Sequence, residues 1–224
     1  MGKFTVIAAV VVGLSGLVAS SRVVSAAQDQ LTDKQMEELV ANASTPADHG
    51  RLRAHFLEMA ATYTADADAH MLMAEGYRRR QDNPPAIQAD RIAQRAREAA
   101  TTARQLVTYH ERLGGAPKSE VQKAPTNHPG LPMTAVQVHE LIVTAKTPAE
   151  HVALRKQFDA EAVSYASEAK RHAAMAAGYR RNTAARGGDA AIHCGRFVQQ
   201  MRDAGAAARA LAEYHAQVAA GPAK

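Results

Sequence analysis

The chain states one pattern twice. Residues 45–80, TPADHGRLRAHFLEMAATYTADADAHMLMAEGYRRR, and residues 147–182, TPAEHVALRKQFDAEAVSYASEAKRHAAMAAGYRRN, lie 102 apart and agree at seventeen of thirty-six positions without a gap. A repeat of this kind restricts the fold to two copies of one supersecondary unit, stacked so that each covers the apolar face of the other. It is also an internal control, because residues kept in both copies separate from residues that have drifted.

Cap signals give the order of elements inside each copy. Thr32 and Gln35, and 102 residues later Thr134 and Gln137, have the spacing of a capping box, so each unit opens with a short helix running to about Ala43 and Ala145. Thr45-Pro46 and Thr147-Pro148 follow, Thr as N-cap and Pro in the first turn of a long helix. That helix carries a seven-residue spacing: His49, Phe56, Tyr63, His70, Tyr77 in the first copy and His151, Phe158, Tyr165, His172, Tyr179 in the second. A companion stripe reads Leu52, Met59, Asp66, Met73 against Leu154, Glu161, Glu168, Met175, and alanines 60, 67 and 74 match alanines 162, 169 and 176. This is a helix-packing stripe with polar groups set into it.

A break is expected at Asn83-Pro84-Pro85 and at Arg186-Gly187-Gly188, each leading into a further helix with its own seam. The seams are Ala89, Ile92, Ala96, Ala99, Ala103, Leu106, His110 and Cys194, Phe197, Met201, Ala204, Ala208, Leu211, His215, now offset by 105. Short connections make antiparallel neighbours. The expected fold is all-α: a duplicated antiparallel helical hairpin forming a four-helix bundle, with a short leading helix before each hairpin.

Residues 1–26 read as a secretory signal peptide, with Lys3, an apolar run over 4–19 and the small residues Val24-Ser25-Ala26 before the cleavage point. The first repeat then covers 27–113, a Pro/Gly-rich linker 114–132 and the second repeat 133–224. The expected localisation is across the inner membrane, in the periplasm. No later segment has the apolar length of a membrane span, so no stable membrane insertion is expected. Removing Lys3 and Arg22 leaves 25 basic against 22 acidic residues, with the arginines dispersed, which argues against a nucleic-acid partner.

Ten histidines, eight methionines and a single cysteine give the chain its chemistry. Six histidines are matched in pairs: His49/His151, His70/His172 and His110/His215. His172 and Met175 share a helix face three residues apart, and Glu168 precedes His172 by one turn as an orienting partner. Folding about residue 186 sets Met175 level with Phe197 and brings His193 and Cys194 within about a turn of His172. His, Met and Cys together suit copper, Cu(I) above all, with zinc as the other candidate. The first copy keeps His70 and Met73 but has Gln88 and Ala89 where the second has His193 and Cys194. The expected metal set is therefore His172, Met175, Cys194 and His193, with His70 and Met73 as the first copy's remnant. The competing reading makes His70 and His172 polar core residues, paired with Asp66 and Glu168 to fix register. His49 and His151 are expected neutral and packed; His110 and His215, near helix C-termini, suit helix-end cations.

Leu31-Thr32-Asp33-Lys34-Gln35 resembles the LTxxQ element of helical periplasmic envelope-stress and metal-resistance proteins. The likeness covers five residues and fades to Met133-Thr134-Ala135-Val136-Gln137 in the second copy, so no family is assigned on it. The chain lacks Cys-x-x-Cys-His, which excludes covalently attached haem, and its ten aromatic residues disfavour a b-type haem. No phosphate loop, Gly-x-Ser-x-Gly or His-Glu-x-x-His motif occurs, and no enzyme class is expected. Two functions follow: an exported protein buffering or delivering a soft or borderline metal, or a non-catalytic structural or interaction module of the envelope. The expected partner is a metal ion or an envelope protein, with a homodimer open.

Overall fold

The computed structural model describes residues 31–114, 131–182 and 188–221. The expected leader, all but the ends of the expected linker, and most of the second inter-helix break lie outside them. The described residues form six helices and no strand: α1 (Asp33–Asn42), α2 (Pro46–Arg79), α3 (Asn83–Gly114), α4 (Ala135–Thr144), α5 (Pro148–Arg181) and α6 (Gly188–Ala220). The hairpins α2–α3 and α5–α6 pack together as a bundle, as the repeat requires.

Four capping boxes start the elements. Thr32 and Thr134 accept from the backbone of Gln35 and Gln137, and Thr45 and Thr147 do the same for Asp48 and Glu150, whose carboxylates return to the Thr backbone. The α2–α3 break lies at residues 80–82, not at the prolines. Gln81 has φ 63°, its N–H reaches Arg78 O at 2.9 Å, and the Asp82 N–H reaches Tyr77 O at 3.0 Å. That pattern is a Schellman motif with a non-glycine residue in the left-handed position. Pro84 and Pro85 belong to the first turn of α3, where no N–H is needed.

The long helices divide the core between them. Phe56, Tyr63, Tyr77, Phe158, Tyr165 and Tyr179 come from α2 and α5, while α3 and α6 bury many alanines, among them Ala99, Ala103, Ala204 and Ala208. Small side chains let α3 and α6 approach closely along the centre. There Gln200 donates to Thr102 at 3.2 Å and Arg95 pairs with Asp203 at 3.1 Å. Across α2 and α5, long side chains span the wider gap.

The short helices are exchanged between the copies. α1 packs chiefly on α5, and α4 chiefly on α2. Met36 and Val40 of α1 and the matched Val138 and Ile142 of α4 are the buried residues. Gly76 and Gly178 make the docking possible: a Cβ at 76 would stand 3.2 Å from Ile142 and from His139, and one at 178 would stand 3.1 Å from Val40. The last carbonyls of each short helix are then capped from the other copy. Arg80 donates to Ile142 O and Ala145 O at 2.8 and 2.7 Å, and Asn182 donates to Val40 O and Ala43 O at 3.0 Å. The repeat has drifted from Arg to Asn here while keeping the same interaction.

Candidate functional site

Both copies set a histidine into the same stripe position, and the two surroundings differ. His70 of α2 is 1 % exposed. Its Nε2 lies 3.4 Å from Asp66 Oδ1, 3.6 Å from Glu161 Oε2 of α5 and 3.3 Å from the Tyr165 hydroxyl, which donates to Asp66 at 2.8 Å. Gln157 ties the far side of this cluster, donating to Glu161 at 2.9 Å and accepting from the Met133 N–H at 3.0 Å. Burial alone would pull the His70 pKa down, but Glu161 and Asp66 together outweigh it and hold the value above 6.5. A cavity of about 150 Å³ adjoins His70 between α2, the entry to α4, and α5; Met73 also lines it.

His172 of α5 is fully buried, and its ring lies on Phe197 with centroids 4.2 Å apart and planes 8° apart. Glu168 Oε2 is 4.0 Å from its Nε2, beyond hydrogen-bond reach. The other oxygen of that carboxylate pairs with Arg171 at 3.1 Å, and Arg171 also meets Asp33 at 2.7 Å. Neither ring nitrogen of His172 has a hydrogen-bond partner. His55 of α2 is an electrostatic neighbour, and its buried Nε2 is equally without one. Burial pushes His172 down to about 3, with His55 and Arg171 adding to it, and burial with Arg171 pushes His55 to about 4. Both are neutral near pH 7.

Three substitutions between the copies account for the contrast. Glu161 is matched by Met59, Gln157 by His55, and Ile92 by Phe197. His55 has no histidine counterpart, so a search guided by matched pairs passes over it. Glu161 left a clearer signal, as an acid at a core position of a heptad stripe where the other copy has methionine.

The register of α5 against α6 differs from expectation by about one turn. Phe197 is opposite His172, not Met175, because α5 ends at Arg181 and α6 already begins at Gly188, so the fold-back is centred before residue 186. Met175 remains on the His172 face and is 1 % exposed. Cys194 is fully buried, and the groups it interacts with are Tyr179 and Arg180 near the end of α5. Burial pushes its thiol up to about 12, so it is protonated. His193 lies half-buried on the flank, with Arg196 and Asp189 of its own helix as its charged neighbours. Among the described residues, no group of three or more His, Cys, Asp and Glu side chains is arranged to hold a metal ion.

The other matched histidines form two equivalent chains. His49 Nδ1 meets His110 Nδ1 at 3.2 Å, and His110 Nε2 meets the Tyr179 hydroxyl at 2.7 Å. His151 meets His215 at 2.9 Å, and His215 meets the Tyr77 hydroxyl at 2.7 Å. One consistent proton order has each tyrosine O–H donating to Nε2 and the inner Nδ1–H donating to the outer histidine. His110 and His215 are therefore not helix-end cations: they are 1 % exposed and burial holds both at about 3. Each chain links the first hairpin to the second, and Phe56 and Phe158 stack on its inner ring at 5.7 Å. No protein-family profile matches the chain, and no curated protein or solved structure matches it.

Proposed function

We propose that the chain is an exported, non-catalytic helical-bundle protein that binds a soft or borderline metal ion, copper first and zinc second, for buffering or delivery in the periplasm. The observation that carries this reading is the pair of neutral imidazoles His172, fully buried, and His55, half-buried, of which both His172 nitrogens and the buried Nε2 of His55 meet no hydrogen-bond partner. An unmade bond to a buried polar atom costs about 1–3 kcal/mol, and a metal ion on the ring nitrogen removes that cost. Because both rings are already deprotonated near pH 7, a metal competes with no proton there.

Met175 supplies a thioether on the His172 face, and the matched position of Glu161 supplies Met59. Two imidazoles with thioether sulfur favour Cu(I) over hard cations. Cys194 and His193 join this set only if the thiol gives up its proton, which its burial opposes. His70 is a poorer ligand than His172, because Glu161 and Asp66 raise its pKa and a metal there competes more strongly with a proton. The second reading, a structural or interaction module of the envelope without a metal, draws support from the two Tyr–His–His chains that use matched histidines as ties.

Titration of the reduced protein with Cu(I) against a competing chelator separates the two. The metal reading expects one tight equivalent, lost in His172→Ala, weakened at least tenfold in His55→Gln, and kept in Cys194→Ser. Equal, weak binding by the unaltered protein and His172→Ala would sink it and leave the structural module.

A further inference from the structure

The cavity beside His70 is independent of the metal reading: it lies in the first copy, and neither His55 nor His172 lines it. The second copy shows why the space exists. There Arg171 runs from α5 to Asp33, the first residue of α1, at 2.7 Å, and pairs with Glu168 at 3.1 Å. The residues matched to Arg171, Asp33 and Glu168 are Ala69, Ala135 and Asp66, and all three line the cavity. Where one copy has an alkyl stem tipped by a polar head, the other has two alanines and a cavity of about 150 Å³. The acids of its wall already have partners: Asp66 accepts from the Tyr165 hydroxyl at 2.8 Å, and Glu161 accepts from the Gln157 amide at 2.9 Å. With Ala135 in the place of Asp33, the carboxylate that meets the Arg171 head has no counterpart, so a charged head would be buried there at a cost. A second observation is the imidazole that lines the cavity: His70 is 1 % exposed, and its Nδ1 has no hydrogen-bond partner. A hydroxyl both donates and accepts, so it suits that atom in either protonation state of the ring.

We infer that the cavity between α2, the entry to α4, and α5 binds a small neutral molecule made of a short alkyl chain and a hydroxyl, a primary alcohol being the simplest case. The chain lies along Ala65, Ala69 and Met73, the apolar wall on α2, and the hydroxyl meets His70. A cavity of about 150 Å³ is the size that takes a ligand of about six non-hydrogen atoms. The second copy cannot hold the same ligand, because Arg171 stands in the matched space.

Titration of the unaltered protein with 1-butanol, followed by nitrogen NMR of the histidine rings, tests this. A saturable shift of the His70 signals is expected, with those of His172 unmoved. The same chain without the hydroxyl, 1-chlorobutane, should bind at least about threefold more weakly. Butylammonium, which puts a charge in its place, should bind at least about tenfold more weakly. Ala69→Leu restores bulk where the second copy has Arg171 and should weaken the alcohol at least about tenfold. His172→Ala should bind it unchanged, so that failure of the metal site leaves this result standing. No shift at His70, full alcohol affinity in a folded Ala69→Leu protein, or binding of 1-chlorobutane or butylammonium as tight as that of the alcohol would each overturn the assignment.

Discussion

In the first copy a buried histidine stands between Asp66 and Glu161 and across from Tyr165; in the second, the matched histidine lies flat on Phe197 with both nitrogens unpartnered. The backbone setting is the same, and so is the helix stripe. The difference lies in three side chains at matched positions, none of them the histidine. The pKa follows the neighbours: two carboxylates raise that of His70 against its burial, whereas burial beside His55 and Arg171 pushes His172 down to about 3. A duplicated scaffold can thus keep its packing and give each copy different chemistry. The Tyr–His–His chains show the converse, two copies that remained the same because both tie the hairpins together.

The largest expected effect is acid, and it separates the histidines by sign. His55, His110, His172 and His215 titrate at about 3–4 in the fold against 6.5 unfolded, so between those values the unfolded chain binds more protons. Their contribution is complete above pH 6.5 and is lost as pH falls towards 4, by up to about 1.4 kcal/mol per pH unit for each ring. His70 runs the other way: its contribution is complete below 6.5 and is lost as pH rises through its raised folded value. Urea unfolding between pH 8 and 4 should show a steep net loss on the acid side. Stability that holds flat down to pH 4 would contradict the neutral chains.

Next comes the direct comparison of the two stripe histidines. His70→Ala removes the imidazole that stands between Asp66 and Glu161 and should cost about 3–5 kcal/mol. His172→Ala removes a ring with no hydrogen bond to lose, so it should cost less, about 1–3 kcal/mol for the lost packing on Phe197. Equal losses in chemical denaturation would erase the distinction between the copies. A sharper version is Glu161→Met, which gives the first site the second site's residue: the His70 pKa, followed by NMR, should then fall. A raised value surviving that change would leave Asp66 as sufficient partner.

Tyr77→Phe and Tyr179→Phe should each cost about 1–3 kcal/mol, and about the same as one another, because each leaves a buried imidazole nitrogen unpaired. Unequal losses would mean that the two chains are not equivalent ties. The smallest effect belongs to the inter-helix turn, where the copies differ in length. Gln81→Gly should raise stability by up to about 1 kcal/mol, since glycine takes the left-handed conformation without steric cost. A lower melting temperature in that variant would argue that the Gln81 side chain, not its backbone, matters to the turn.

Much of this was legible along the chain. The four Thr caps, the heptad stripe and the alanine rows are local signals, set by spacing and by residue type, and the helices follow them. The misplaced break at residues 83–85 came from reading prolines as an end, when a first helical turn accommodates them. His110 and His215 were misread as helix-end cations because their burial depends on tyrosines 69 and 138 residues away. The roles of Glu161, visible only as a member of its stripe, and of His55 stay hidden for a related reason: each acts on a histidine in the other copy, and no spacing within one helix reveals that.

By itself the sequence determined that this is a helical protein made of two like hairpins, because hydrophobic period and capping are properties of short stretches. Only the tertiary structure decided that the leading helices exchange places, that Phe197 stands opposite His172, and that one stripe histidine has its pKa raised and the other lowered. Those outcomes depend on which side chains from distant segments share a buried space. Desolvation and Coulomb interactions act across that space without regard to order along the chain.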